Sequence, residues 1–577
     1  MAVDQQVTAS DEQEAPERRR LIAAPRVFYP AAGLLLVFVL ATAIFPEWMG
    51  SWISAANTTV VGELGWWYIG VVAFFVFFSI WLAVSPMGAI VLAKDDDDEP
   101  DFSLGSWFAM LFAAGMGIGL VYWGVAEPLS HYAAVPPGEA GATGALAAKS
   151  AMDVTFLHWG LHAWAIYVVV GLAVAYSVHR RGNPISIRWA LYPLLGNRIR
   201  GFWGDVIDVI AILGTLFGVA TSLGLGVSQI GAGLGYLGLV ELDEAGNPST
   251  WLLIGLIIVI TAIALVSVVT GVDKGIKWLS NINMGLAIGL VVFVLVVGPT
   301  VFILSDFLTQ IGSYLTNFFA LTFNARPFTE GGKEWLGGWT TYYWGWWMSW
   351  APFVGVFIAR ISKGRTVREF IFGVLLVPTV VTFLWFSVMG GSGLYRELFG
   401  EGGIVDADGL VNSNTALFQL LDGFPLAAVT STVAVILIVI FFVTSSDSGS
   451  FVVDMLSSGG DPNPPAWSRA FWAAMEGAIA AVLLWVGLQA AASGLDVNPL
   501  GALQTMAILL ALPFSIVMLM MCFATARALL RENKLREREQ RRWYAGQIAQ
   551  DIYDLENGDG KGDGKVKARL RGRQKGR

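Results

Sequence analysis

Four tryptophans fall within seven residues of one apolar segment, in YYWGWWMSWAPF from Tyr342 to Phe353. An indole face attracts cations, and a cage of such faces holds a quaternary ammonium group, which has no hydrogen bond to donate. Trp346 and Trp350 stand at i, i+4 and Trp347 and Trp350 at i, i+3, so a helix crowds these rings onto one side. A second set, Trp159, Trp164 and Tyr167, lies in FLHWGLHAWAIY. If the two helices face each other they build an aromatic box at membrane depth, where each desolvated ring contributes about 2 kcal/mol toward a bound trimethylammonium group. The other reading of these rings is core packing with interfacial anchoring.

Other chemistries find less support. Of the four histidines, His131, His158, His162 and His179, only His158 and His162 share a helical face. Their i, i+4 spacing suits two metal ligands, but no HExxH motif and no third ligand accompany them, so packed or hydrogen-bonded histidines are expected. The single cysteine, Cys522, excludes an intramolecular disulfide and any cysteine-based zinc or iron–sulfur site. Among acids within apolar segments, Glu127, Asp205 and Asp208 lie near expected helix ends and read as caps. Asp447, inside TSSDSG, has the stronger claim to a role.

The elements that must position these residues are membrane helices. The chain of 577 residues is 55% hydrophobic and 14% charged, with a mean hydropathy of +0.62, against roughly a quarter charged residues in soluble domains. Its net charge of −8 averages an acidic start, a nearly uncharged middle and a basic end, and points to no nucleic-acid partner. The N-terminus lacks a cleavable signal pattern, so the first span is expected to be retained. Runs of about 20 apolar residues predict twelve spans, beginning near Arg26, Gly65, Ser103, Val154, Asp205, Trp251, Asn281, Trp339, Glu369, Leu426, Trp467 and Gly501. Alternating the connections puts Arg18 to Arg20, Lys94, Arg180, Arg181, Arg188, Arg198, Arg200, Lys274, Lys277, Arg360, Lys363, Arg365, Arg368, Arg469 and the C-terminal tail on one side. Only Lys149, Arg326, Lys333 and Arg396 fall on the other, so both termini are predicted to be cytoplasmic.

Two spans depart from plain hydrophobicity. The third carries Gly115, Gly117 and Gly119 at its middle, and the eighth follows its tryptophans with Pro352 and Gly355; both are expected to unwind. They lie five spans apart, so spans three to seven and eight to twelve would form inverted halves, with interrupted helices at matching positions marking a transporter's site. Spans five and ten add small, hydroxyl-rich stretches, GTLFGVATSLG from Gly214 and FFVTSSDSG from Phe441. The predicted organisation is a tail over 1–26, two leading helices over 27–93, a first repeat over 103–304, an amphipathic outer helix over 305–323, a second repeat over 339–529 and a tail over 530–577.

The segments GMGIGLVYWGVAEP, FLHWGLHAWAIY, WGWWMSWAPFVGVFIARISKGRTVREF and FFVTSSDSGS together resemble the betaine/carnitine/choline transporter family, from about Val27 to Leu530. The resemblance implies a LeuT-like fold of two leading helices plus a five-and-five inverted repeat. It implies alternating access, a trimethylammonium or sulfonium osmolyte as substrate, and trimeric assembly. The family's aromatic box corresponds to Trp159, Trp164 and Tyr167 with Trp344, Trp346, Trp347 and Trp350, and Met116, Gly117 and Gly119 of the unwound third helix would adjoin it. Tyr342 and Trp344 would act more as gates or packing. A sodium site would take the carbonyls of Ala113, Met116 and Phe441 and the hydroxyls of Thr444 and Ser445, in keeping with the oxygen donors a hard cation needs. A second sodium site in some members uses two threonines one turn apart on span five with an aromatic on span eight. This chain keeps Thr215 and Phe353 but has Val219 in the second threonine's place, and an isopropyl group cannot ligate sodium. Glycine at 119 is found in members resembling betaine carriers, where choline carriers can have aspartate, so Gly119 favours a zwitterion.

These readings converge on a sodium-coupled glycine betaine symporter of a bacterial cytoplasmic membrane, with no enzymatic cofactor. The alternatives are a proton-coupled choline transporter and, from another class, a ligand-gated channel or sensor; a membrane enzyme comes third. The tail from Arg531 begins as a charged helix and ends Gly/Lys/Arg-rich and disordered. Its basic clusters would meet anionic lipid and report osmotic stress.

Overall fold

Without water in the bilayer core, each backbone N–H and C=O must be bonded within the chain, and a helix does this locally. The computed structural model describes residues 24–115, 117–139, 141–270, 273–492 and 500–557. Among these residues the fold is helical, with three isolated β-bridges, one of which ties Val91 to Thr366. The long helices are α1 (Pro25–Ile44), α2 (Pro46–Val84), α3 (Leu104–Gly115), α4 (Ile118–Ala133), α5 (Ala145–Trp159), α6 (Leu161–Ala175), α7 (Phe202–Tyr236) and α8 (Thr250–Thr270). They continue as α9 (Asp273–Val297), α10 (Thr300–Thr322), α11 (Thr340–Ile361), α12 (Val367–Phe399), α13 (Ala427–Ser457), α14 (Ala466–Ala492) and α15 (Gly501–Asn557).

Among the described residues, ten segments are long and apolar enough to cross a membrane, with α5 and α6 counted as one. The chain is a polytopic, all-helical membrane protein. The predicted third and eighth spans are helical but stand outside those ten. The third is divided into α3 and α4, of 12 and 16 residues, and α11 has the length but is rich in Trp, Tyr, Thr and Gly.

The third span breaks where its glycines predict, and Gly117 is extended at φ −163° and ψ −179°. The eighth does not unwind: α11 is continuous from Thr340 to Ile361 through Pro352. Its glycine serves close packing instead, since a Cβ at Gly355 would lie 2.6 Å from Val170 Cγ1 and 3.0 Å from the Gly171 nitrogen. An interruption the sequence reading did not include falls in span four, at Gly160 between α5 and α6. The Thr382 hydroxyl donates to the Trp159 carbonyl beside that break, at 3.1 Å.

The centre of the molecule is α11, packed against α6, α7 and α15. Helix α10 begins five residues before the predicted outer helix and packs on α5 and α12, leaving Val301, Leu308, Leu315 and Phe319 exposed. Helix α15 runs well beyond its apolar part. Its Glu532 takes Arg180 Nε at 2.5 Å and the Tyr176 hydroxyl at 2.6 Å, and Arg536 pairs with Asp96. The predicted tail residues 1–23 and 558–577 and the site residue Met116 lie outside the described residues.

Candidate functional site

Helices α5, α6 and α11 bring the two tryptophan sets together. Trp159, Trp164, Tyr167, Trp346, Trp347 and Trp350 line one cavity with Gly117, Gly119, Leu120, Ala163 and Thr382. Trp346 and Trp347 stack at 4.5 Å between ring centroids, and Trp159 meets Trp347 edge-on at 4.9 Å. Tyr167 lies 5.3 Å from Trp164 and 6.4 Å from Trp347, and Trp350 closes the row 6.4 Å from Trp347. No charged side chain is among the lining residues. Trp344 is placed elsewhere. It stacks on His162 at 5.6 Å and lines a separate space with Arg326, Trp335 and Thr340.

The rings are held by hydrogen bonds rather than by packing alone. Trp346 Nε1 donates to the Gly218 carbonyl at 3.2 Å, Trp347 Nε1 to the His158 carbonyl at 3.0 Å and Trp159 Nε1 to Glu127 Oε2 at 2.6 Å. The indole N–H of Trp350 and the hydroxyl of Tyr167 are buried with no partner in the protein. Gly119 is wedged between two of the rings. A Cβ there would stand 2.8 Å from Trp346 Cη2 and 2.9 Å from Trp159 Cη2, so any side chain would displace them.

Glu127 is not a cap. Helix α4 continues through Pro128 to Ala133, leaving Glu127 inside the helix and 0% exposed. Its carboxylate takes the Trp159 indole, the Tyr343 hydroxyl and His158 Nδ1, the last at 2.7 Å, with His131 3.6 Å away. Tyr343 in turn stacks on Trp347 at 5.7 Å. Glu127, His131 and His158 bring one potential metal ligand each within 4.8 Å of one another, but the carboxylate is already engaged by three donors. His158 and His162 do not converge: His158 Nε2 meets Thr340 and His162 Nε2 meets Thr322, each at 2.9 Å. Asp208 caps no helix of its own; it receives Ser186 and Arg188, whose guanidinium also reaches Asp205 at 2.8 Å.

A second cavity, of about 420 Å³, shares Gly117 and Trp350 with the first. It gathers Ala113, Phe441, Thr444 and Ser445 with Phe353, Asn283 and Ser448. The Thr444 hydroxyl donates to the Ile440 carbonyl at 2.8 Å and reaches the Phe441 carbonyl at 3.3 Å. Both polar atoms of Asn283 are buried without a partner. Thr215 spends its hydroxyl on the Ala211 carbonyl at 2.8 Å, and Val219 is buried.

Several of these residues carried no signal of their own in the sequence. Tyr343 is one tyrosine among many aromatics, and Thr382 lies in a segment that reads as a plain span. Glu127 was visible, but its AEP context suggested a helix end.

Residues 26–534 match the BCCT, betaine/carnitine/choline family transporter, family. The chain is 51% identical over 507 residues to an uncharacterized transporter of Mycobacterium tuberculosis, covering 87% of this chain and 82% of that one. It is 44% identical over 510 residues to a glycine betaine transporter of Bacillus subtilis, covering 88% and 95%. To a glycine betaine transporter of Acinetobacter baylyi it is 42% identical over 506 residues, covering 88% and 73%. A polytopic helical chain with an uncharged aromatic cavity at its centre, matching over this length, belongs to the betaine/carnitine/choline family of membrane transporters and is not an enzyme.

Proposed function

We propose that this chain imports glycine betaine, with sodium as a coupling ion, through alternating access around the aromatic cavity. The observation that carries this reading is the uncharged ring of Trp159, Trp346, Trp347, Trp350, Trp164 and Tyr167. Such faces suit a trimethylammonium group, which they stabilise without a hydrogen bond. The unpartnered Trp350 N–H and Tyr167 O–H supply donors for the carboxylate end of a zwitterion. Relatives named glycine betaine transporters support the same choice. Choline lacks that carboxylate, and the wedged Gly119 leaves no room for an aspartate to face its cation.

Sodium would sit in the second cavity against the carbonyls of Ala113 and Phe441 and the hydroxyls of Thr444 and Ser445, with Met116 completing the set. Shared walls at Gly117 and Trp350 would couple that ion to the substrate. The proposed architecture is twelve spans, two leading and ten in two inverted halves of five, with both termini in the cytoplasm of a bacterial cell. The organisation over 1–26, 27–93, 103–304, 305–323, 339–529 and 530–577 belongs to this reading. So do a homotrimer, for which α10 offers exposed apolar residues, and a basic tail meeting anionic lipid.

The test is uptake of labelled glycine betaine by liposomes holding the purified chain, under an inward sodium gradient or a proton gradient alone, with choline as competitor. Sodium-dependent accumulation that choline does not block is expected. Downhill equilibration without accumulation would indicate a channel. Proton-driven uptake blocked by choline would move the chain to the second reading, a proton-coupled choline transporter.

A further inference from the structure

Glu476 lies in the middle of α14 and is 0% exposed. One carboxylate oxygen, Oε2, accepts the Ser446 hydroxyl at 2.9 Å. The other, Oε1, is buried with no partner in the protein. A Cβ built on Gly449 would stand 3.0 Å from Oε1 and 3.1 Å from Val219 Cγ2, so the bare oxygen and the Val219 methyls flank one glycine of α13. Among the described residues no lysine, arginine or histidine forms an ion pair with this carboxylate.

An isolated carboxylate in a dry interior is costly, and an intramembrane acid without a counter-charge marks a functional group by default. It must hold a proton or a cation. Sodium needs several oxygens; Oε1 has no hydrogen-bond partner in the protein and shares the space at Gly449 with the Val219 methyls. The charged neighbour acting on it is Asp447 of α13, of like sign. Helix α7 faces it with Val219, and α8 contains no ionisable residue. On α1 and α2, Arg26, Tyr29, Glu47 and Glu63 are exposed, while Tyr68 donates to the Ile508 carbonyl; α15 reaches its first charge at Arg527.

We propose that Glu476 is a proton-binding site of the transport cycle, so that this chain moves a proton with its substrate. The assignment rests on the transport reading above. A hydronium ion on one side breaks an O–H bond as its proton forms the O–H bond on the carboxylate, leaving water; on the other side that bond breaks and the proton passes to water, giving hydronium. The coupling route is short. Ser446, hydrogen-bonded to Glu476, follows Thr444 and Ser445, which line the second cavity from the same helix. The charged and neutral forms would then favour different packings of α13 on α14, and the proton would shift that balance.

The purified full-length chain in liposomes with a trapped pH-sensitive dye tests this, with sodium equal on both sides. Betaine entry is expected to acidify the lumen. In Glu476→Gln, betaine binding followed by tryptophan fluorescence should stay within about twofold, while acidification per betaine falls at least about tenfold and the dependence of uptake on pH flattens. Glu476→Asp, which keeps the acid, should restore acidification. Betaine uptake without acidification in the wild type, or equal acidification in Glu476→Gln, overturns the proton assignment alone. A raised sodium requirement in Glu476→Gln with unchanged proton movement makes the residue a sodium ligand and overturns it as well. A wild-type chain that neither binds nor accumulates betaine overturns the substrate reading, and the proton site with it.

Discussion

The indole N–H of Trp159 donates to Glu127 Oε2 at 2.6 Å, joining α4 to the last residue of α5 at the edge of the aromatic cavity. The same carboxylate takes the Tyr343 hydroxyl, and Tyr343 stacks on Trp347. One buried acid thus fixes two walls of the cavity from behind an indole that faces it. Removing it leaves a buried indole N–H without its acceptor, which costs about 1–3 kcal/mol.

Glu127→Gln should therefore weaken betaine binding about tenfold, or about 1.4 kcal/mol, with Glu127→Ala weaker still. Titration of tryptophan fluorescence measures the affinity, and circular dichroism checks that the helices are intact. Affinity unchanged in Glu127→Ala would show that Trp159 holds its orientation by packing.

Replacing Trp346 or Trp350 by leucine removes a ring while leaving an apolar side chain. Loss of one desolvated cation–π contact of about 2 kcal/mol corresponds to roughly thirtyfold weaker binding. Membrane insertion should be unaltered. Trp344→Leu is the control, since Trp344 stacks on His162 outside the cavity, and its affinity should change much less.

Gly119→Asp should not convert the chain into a choline carrier. The first side-chain atom already collides with Trp346 and Trp159, so binding of betaine and of choline should both fall, and Gly119→Ala should show much of the same loss. Competition between labelled betaine and choline reads this directly. Tight choline binding in Gly119→Asp would mean that the rings yield.

Changing Thr444 and Ser445 together to alanine should raise the sodium concentration for half-maximal uptake by about tenfold, with betaine binding at saturating sodium little changed. The two hydroxyls stand in the second cavity beside the Phe441 carbonyl. An unaltered sodium response would remove the cation site proposed there.

Truncation after Asn533 keeps the contacts of Glu532 with Arg180 and Tyr176 but removes the pairing of Arg536 with Asp96. Uptake should persist and lose much of its response to osmolality, measured in liposomes across a series of external osmolyte concentrations. An equally responsive truncated chain would separate the tail from regulation.

Membrane class, the helices and the two aromatic sets were legible in the sequence because they depend on local composition and on helical spacing. Apolar runs of bilayer length require helices whatever their neighbours, and rings at i, i+3 and i+4 share a face in any helix. The break at Gly117 was legible for the same reason, as a property of three closely spaced glycines. What the tertiary structure decided was which groups meet. The sequence could not show that Gly355 serves a crossing with Val170 and Gly171 rather than an unwound turn, nor that span four breaks at Gly160. It could not show that Trp344 leaves the cavity for His162, or that Glu127 holds both Trp159 and, 216 residues away, Tyr343. Nor could it show that Glu476 keeps one oxygen bare beside Val219. A residue's partners across the bundle depend on the rotation and crossing of whole helices, which small residues and buried hydrogen bonds fix only once the chain has folded.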